Sequence, residues 1–288
     1  MSAQLKLKLA QLNRLRFAPS RPDAGWQVSL EEEAELHRLE VAWIENKRSQ
    51  VVHSVRDVPR DPTAFVAWFE ALKVDGPGQG DRFFPWLAEH ATLDQMKWFL
   101  RQEVAVETGF DDLVALTQVR MPEQAKLQLA ANYWDQMGRG YRGGMHGPML
   151  SRMAAELDLA SIPDEIVWES TALGNLLAGL AANRRYAYQS IGALGVVELT
   201  APGRAKLVNA GLERLGIAPA TRQYYALHAR LDVKHSEAWN REVVAPLVSQ
   251  DPSLAPLIAE GALMRLEAGA ACFERYRREL RTDHALAA

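Results

Sequence analysis

Residues 224–239 read YYALHARLDVKHSEAW and place His228, Asp232 and His235 on one side of a helix. At about 100° per residue the three side chains fall within an arc of roughly 60°, with Tyr224, Leu231 and Trp239 close beside them. Two imidazoles and a carboxylate pointing the same way can grip a metal ion from one rod. An Asp can equally hold a neighbouring His by a salt bridge on a half-exposed helix, so the spacing alone leaves both readings open. The residues on the other helices decide between them.

Outward from this stretch the chain reads as helix after helix. Apolar spacing, caps and breakers predict helices over 84–90, 92–119, 122–137, 145–159, 164–183, 185–199, 203–215, 219–249 and 252–280. Thr92 starts one of them as a cap, Pro122 and Pro219 suit first turns, and Gly138 and Gly216 suit helix ends. Before these, Ser29 and Glu32 form a capping-box pattern for a long helix over 30–55, and 63–73 makes a shorter one after Pro59 and Pro62. No segment alternates with the period of a strand, and no unit repeats at a fixed interval. The expected fold is therefore all-α, a bundle rather than a solenoid. The loop 75–81, DGPGQGD, breaks the chain most strongly, and the boundary is placed there: 1–80 as an N-terminal helical extension, 81–288 as the domain that carries the chemistry.

The bulk composition removes several function classes. The 288 residues are 48% hydrophobic, enough for a sizeable core, and the net charge of −3 with no long Lys/Arg run leaves no footprint for nucleic acid. A single cysteine, Cys272, rules out an intramolecular disulfide and Cys-ligated clusters, and its apolar helical surroundings read as a buried small hydrophobe. No apolar run approaches a membrane span, so the expectation is a soluble, cytoplasmic protein with no membrane partner. The basic start, with Lys6, Lys8, Arg14, Arg16 and Arg21, reads as a packing or mobile arm.

Further polar residues stand on apolar faces. Glu107, with Glu103 one turn earlier, lies in a helix too apolar to be all surface. His146 opens a helix after a glycine-rich connection that lacks the Lys-Ser/Thr ending of a phosphate loop. Asn132 and Asp135 cap or brace the turn before that connection. Glu198 ends the small, apolar run GALGVV, where a carboxylate is expensive to bury without a cation or donors. Each has an ordinary reading as a solvated or salt-bridged side chain. Together, Glu107, His146, Glu198 and the His228, Asp232, His235 face come from four helices, and inward-facing Glu and His from several helices are how bundles build non-haem metal centres.

With those residues assembled, the sequence over roughly 83–280 resembles the haem-oxygenase-like diiron oxidase and oxygenase superfamily, the iron-containing redox enzymes. The parts that carry the likeness are His228-x-x-x-Asp232-x-x-His235, Glu198 near Gly192-Ala193-Leu194-Gly195, the Asn132-x-x-Asp135 to His146 segment, and Glu107-x-x-Phe110, in the family's order. The resemblance implies a haem-oxygenase-like helical bundle with an N-terminal helical extension. It also implies one iron held by Glu107, His146 and His235 and a second near Glu198, His228 and Asp232. Gln136 stands where the family usually has another Glu, and an amide oxygen is a weaker, neutral ligand. One or two Fe(II) ions with O2 as co-substrate are therefore expected, acting on a small organic molecule by N-oxygenation, C–H abstraction or oxidative carbon–carbon cleavage. The expected partners are that substrate and, at most, a second copy of the chain as a homodimer. The rival readings are a metal-free protein of the same fold, either a cofactor-free enzyme or an interaction protein with a decayed metal site. A haem version would use His37 or His53 and would leave the 228–235 face without a purpose.

Overall fold

Two helices meet backbone to backbone at the centre of the protein, and the rest is arranged about them. In the computed structural model, which describes residues 3–19, 21, 25–106, 109–159 and 165–282, α10 (Ala187–Arg214) and α13 (Leu254–Leu280) approach through glycine. A Cβ on Gly192 would lie 1.8 Å from the Ile258 carbonyl oxygen, and one on Gly261 would lie 1.8 Å from that of Gln189. No side chain fits at either place, which is why small residues interrupt both apolar runs.

Around this pair run α1 (Ala3–Phe17), α2 (Trp26–Val51), α3 (Pro62–Asp75), α4 (Phe83–Glu89), α5 (Leu93–Val106), α6 (Phe110–Thr117), α7 (Glu123–Gln136), α8 (His146–Glu156), α9 (Trp168–Ala182), α11 (Gln223–Trp239) and α12 (Ala245–Gln250). No strand occurs among the described residues, and no helix among them is long and apolar enough to cross a membrane. The fold is the all-α bundle that the periodicity predicts. Thr92 and Gln95 form a reciprocal capping box, with Gln95 N donating to Thr92 Oγ1 at 3.3 Å and Thr92 N to Gln95 Oε1 at 2.9 Å.

Several boundaries differ from the sequence reading. The helix expected over 92–119 is divided into α5 and α6, with Gly109 in left-handed backbone (φ +77°) capping the second. The helices expected over 185–199 and 203–215 are one helix that runs through Pro202. Proline costs the Glu198 carbonyl its usual donor, yet burial of Val208, Gly211 and Leu212 beyond it holds the helix on course. The long helix 219–249 becomes α11, a π-turn (Asn240–Val244) and α12. The N-terminal arm is helical: Leu9 and Leu12 of α1 are buried, and Asn13 donates to Asn175 on α9 at 2.8 Å. Trp43, Ile44, Phe65 and Phe69 of the first eighty residues share one apolar cluster with Ile191, Val196 and Trp239. A second cluster gathers Phe83, Phe99, Leu150, Val208, Phe273 and Tyr276.

Trp239 sets the register between α10 and α11. Its indole N–H donates to the Ile191 carbonyl at 3.2 Å, and the ring fills the notch at Gly195, where a Cβ would come within 2.6 Å of Nε1. His235 lies one turn before Trp239 and Glu198 three residues after Gly195. Locking the indole into the notch brings those two side chains opposite each other.

Candidate metal centre

Glu198, Asp232 and His235 meet where α10 faces α11. They are 1%, 2% and 5% exposed, too little to be solvated surface charges. His235 Nδ1 is 3.5 Å from Glu198 Oε2 and 3.8 Å from Asp232 Oδ1, and one potential ligand atom from each residue lies within 4.8 Å of the others. Both His235 Nδ1 and Asp232 Oδ1 are buried without a hydrogen-bond partner. Unpartnered buried polar atoms are costly, and two of them converging beside a third carboxylate oxygen fit a cation that displaces their protons.

Helix α7 holds this cluster from behind. Asn132 Nδ2 donates to Glu198 Oε1 at 2.7 Å, which leaves Oε2 turned toward His235. Asp135 Oδ2 is 3.1 Å from His235 Nε2 and is itself clamped by Arg139 at 2.6 and 3.3 Å. With the Nε2 proton given to Asp135, the lone pair of Nδ1 faces Glu198 and Asp232, the tautomer that a metal ligand needs. The brace expected of Asn132 and Asp135 thus acts on the candidate ligands themselves. Replacing Asp135 by Asn is expected to weaken metal binding about tenfold to a hundredfold without unfolding the protein, because the ring loses its orienting acceptor. Calorimetric titration with Co(II) measures it.

The charges in the cluster depend on one another. Burial, and then the neighbouring Glu198, push the Asp232 carboxyl up to about 9. Burial would lower His235, but the close Glu198 carboxylate, with Asp135 and Asp232, outweighs it and raises the imidazole to about 9. Near neutral pH the cluster therefore holds protons that a divalent ion would replace.

His146, the first residue of α8, and His228 form a second group. His146 Nδ1 lies 3.1 Å from His228 Nε2, and His228 Nδ1 lies 2.7 Å from the Tyr224 carbonyl, to which it donates. His228 Nε2 is thereby left as the acceptor. Burial lowers both rings, His146 to about 3, so both are neutral, as ligands must be. Gln136, the last residue of α7, is 4% exposed and lines the same cavity as His146, His228, Glu198 and Asp232. Distance groups the residues as Glu198–Asp232–His235 and His146–His228. Glu107 lies outside the described residues; Glu103 is described and lines the cavity. His37 and His53 are exposed on and just beyond α2.

The cavity, of about 200 Å³, opens between the two apolar clusters, with Leu113 on one side and Phe84, Phe99 and Phe273 on the other. Cys272 lines it, but burial pushes the thiol up to about 12, so it carries no thiolate. Arg204 and Arg265 also line it. Neither is among the sequence candidates; the one signal in the sequence is Arg265 as the lone basic residue of the small and mostly apolar run GALMRLEAGAAC.

A family model described as iron-containing redox enzyme matches residues 97–270, more than half of the chain and the stretch that holds Glu198, Asp232, His235, His146, His228 and Gln136. Among solved structures, a CadD-like protein of unknown function from Nostoc punctiforme is similar with a TM-score of 0.61 at 14% identity, over 77% of this chain and 99% of its own. A domain of unknown function with a heme oxygenase-like fold from Shewanella denitrificans gives a TM-score of 0.51 at 15% identity, over 85% of this chain and 94% of its own. At these identities the likeness concerns the fold. No curated protein matches the sequence.

Proposed function

Because the chain belongs to the iron-containing redox enzyme family, whose members are oxidoreductases, we propose that it is a non-haem iron enzyme that uses O2 to oxidise a small organic substrate bound in the cavity. The observation that carries this reading is the pair of orphaned atoms, His235 Nδ1 and Asp232 Oδ1, turned toward Glu198. These three residues would hold the first iron. His146 and His228 would supply a second position, with Gln136 as a neutral neighbour. Iron bound there would supply the electrons that allow O2 to react with an organic molecule.

The chain's own groups have defined tasks. Asp135 keeps the proton on His235 Nε2, and Asn132 keeps Glu198 in the rotamer that presents Oε2. The carboxylates offset the charge of the cation, and the aromatic walls exclude water from the reacting centre. Gln136 makes the two positions unequal, since it brings no charge to the second.

Anaerobic Fe(II) titration of metal-free protein, followed by oxygen-electrode measurements, tests this. The expected result is one tightly bound iron, a weaker second, and O2 uptake only by the loaded protein. Gln136→Glu is expected to tighten the second position by about tenfold or more, the effect of adding one charged ligand. A chain that takes up no iron in its wild-type form would instead be a metal-free protein in which His235 bridges buried carboxylates as a structural ion pair.

A further inference from the structure

The cavity contains a second polar feature that the candidate iron ligands do not use. Arg265, on α13, is 8% exposed, and its Nε and Nη1 are buried without a hydrogen-bond partner. Arg204, on α10, has Nη1 in the same condition, while its Nη2 donates to Thr200 Oγ1 at 2.9 Å. The Arg204 guanidinium lies 5.9 Å from the centre of the Phe84 ring and 5.6 Å from that of Phe273. Burial lowers both guanidiniums, Arg204 to about 9 with the charge of Arg265 adding to it, and the Glu103 carboxylate opposes the shift in each. Two guanidiniums in an apolar wall, with N–H donors unanswered, call for a further acceptor beside them.

We propose that Arg204 and Arg265 bind the carboxylate of an organic monoacid whose apolar body lies along the cavity toward Glu198 and Asp232. This names the substrate class of the chamber and so rests on reading that chamber as the active site. A guanidinium fork matches a carboxylate in shape, and the rings beside it favour a ligand with an apolar body, which inorganic phosphate lacks. Arg204 follows Glu198 by six residues on α10, about 9 Å of helix rise, so the acid group and the reacting carbon are different ends of the molecule. The rings of Phe84, Phe99 and Phe273 favour an aromatic or otherwise apolar body between them.

The test is calorimetry on the metal-free full-length protein with 4-phenylbutanoate, the neutral 4-phenylbutan-1-ol, and inorganic phosphate. The wild type is expected to bind the acid about tenfold or more tightly than the alcohol, and phosphate more weakly than the acid. Arg204→Met and Arg265→Met are each expected to cost about tenfold or more for the acid while leaving the alcohol within about twofold, with Arg265→Lys recovering part of the loss. Methionine keeps the length and fills the apolar site, so both variants are expected to fold and to keep their iron stoichiometry. Equal binding of acid and alcohol by the wild type overturns the inference, as does an acid affinity unchanged in both methionine variants, or phosphate binding as tight as the acid. Failure of acid binding in a protein that still takes up iron overturns this inference alone. Acid binding in a protein that takes up no iron overturns the proposed function and supports the acid site.

Discussion

Replacing His235 by Ala is expected to weaken the first iron position by about a thousandfold, ~4 kcal/mol, while the far-ultraviolet circular dichroism stays that of a helical bundle. The size follows from what the imidazole contributes. Its Nδ1, once a metal has displaced the proton, is the one nitrogen ligand facing both Glu198 and Asp232, and its Nε2 connects the cluster to Asp135 on α7. Removing it takes away a ligand and leaves two buried carboxylates facing an empty volume. Trp239, which seats α11 against Gly195, is untouched, so the backbone register survives. His37→Ala is the matched control, because that imidazole is exposed on α2, and it is expected to leave iron binding unchanged. Equal iron affinity in the wild type and His235→Ala would place the iron elsewhere.

Asp232→Asn is expected to act in opposite directions on iron and on stability. An acid whose folded pKa is raised to about 9 holds its proton more firmly folded than unfolded. The stability of the metal-free protein therefore declines as pH rises from the unfolded value, about 3.9, toward 9. His235, also raised to about 9, contributes stability below its unfolded value of about 6.5 and loses it through the same upper window. Both slopes have one sign between about pH 6.5 and 9; the lowered His146 and His228 are neutral in the folded protein and oppose them only near pH 6.5, where the unfolded rings are half protonated, by about 0.4 kcal/mol each. Metal-free wild type is thus expected to melt several degrees lower at pH 8.5 than at pH 6.5, a difference on the order of a few kcal/mol. Asparagine offers an N–H donor in place of the acid's proton and has nothing to ionise. The variant is expected to flatten most of the slope and to raise the melting temperature at pH 8.5, while iron affinity falls sharply. A pH dependence equal to that of the wild type would remove Asp232 from the buried acid pair.

The helix periodicity was enough to show the His228, Asp232 and His235 arc, because one helix carries all three. Glu198 was legible as an acid at the end of an apolar run. Its position opposite His235 was not, since that depends on Trp239 entering a notch made by Gly195 on another helix. The same limit applies to Asn132 and Asp135, which reach residues 66 and 100 positions away. Local pattern cannot express such pairs. Proline at 202 and the apolar continuity of 92–119 misled for a related reason: tertiary packing carried α10 through one breaker, while Gly109, which the apolar pattern did not weigh, divided α5 from α6. The two arginines were passed over because an arginine in a helix normally reaches solvent, and only the folded chamber shows where these end.

Anomalous diffraction at the iron edge from crystals loaded anaerobically with Fe(II) locates the metal directly. The expected result is a peak bounded by Glu198, Asp232 and His235 Nδ1, with any second, weaker peak beside His146 and His228. A strong peak that touches none of the first three residues, or no peak in crystals that bind iron in solution, would contradict it.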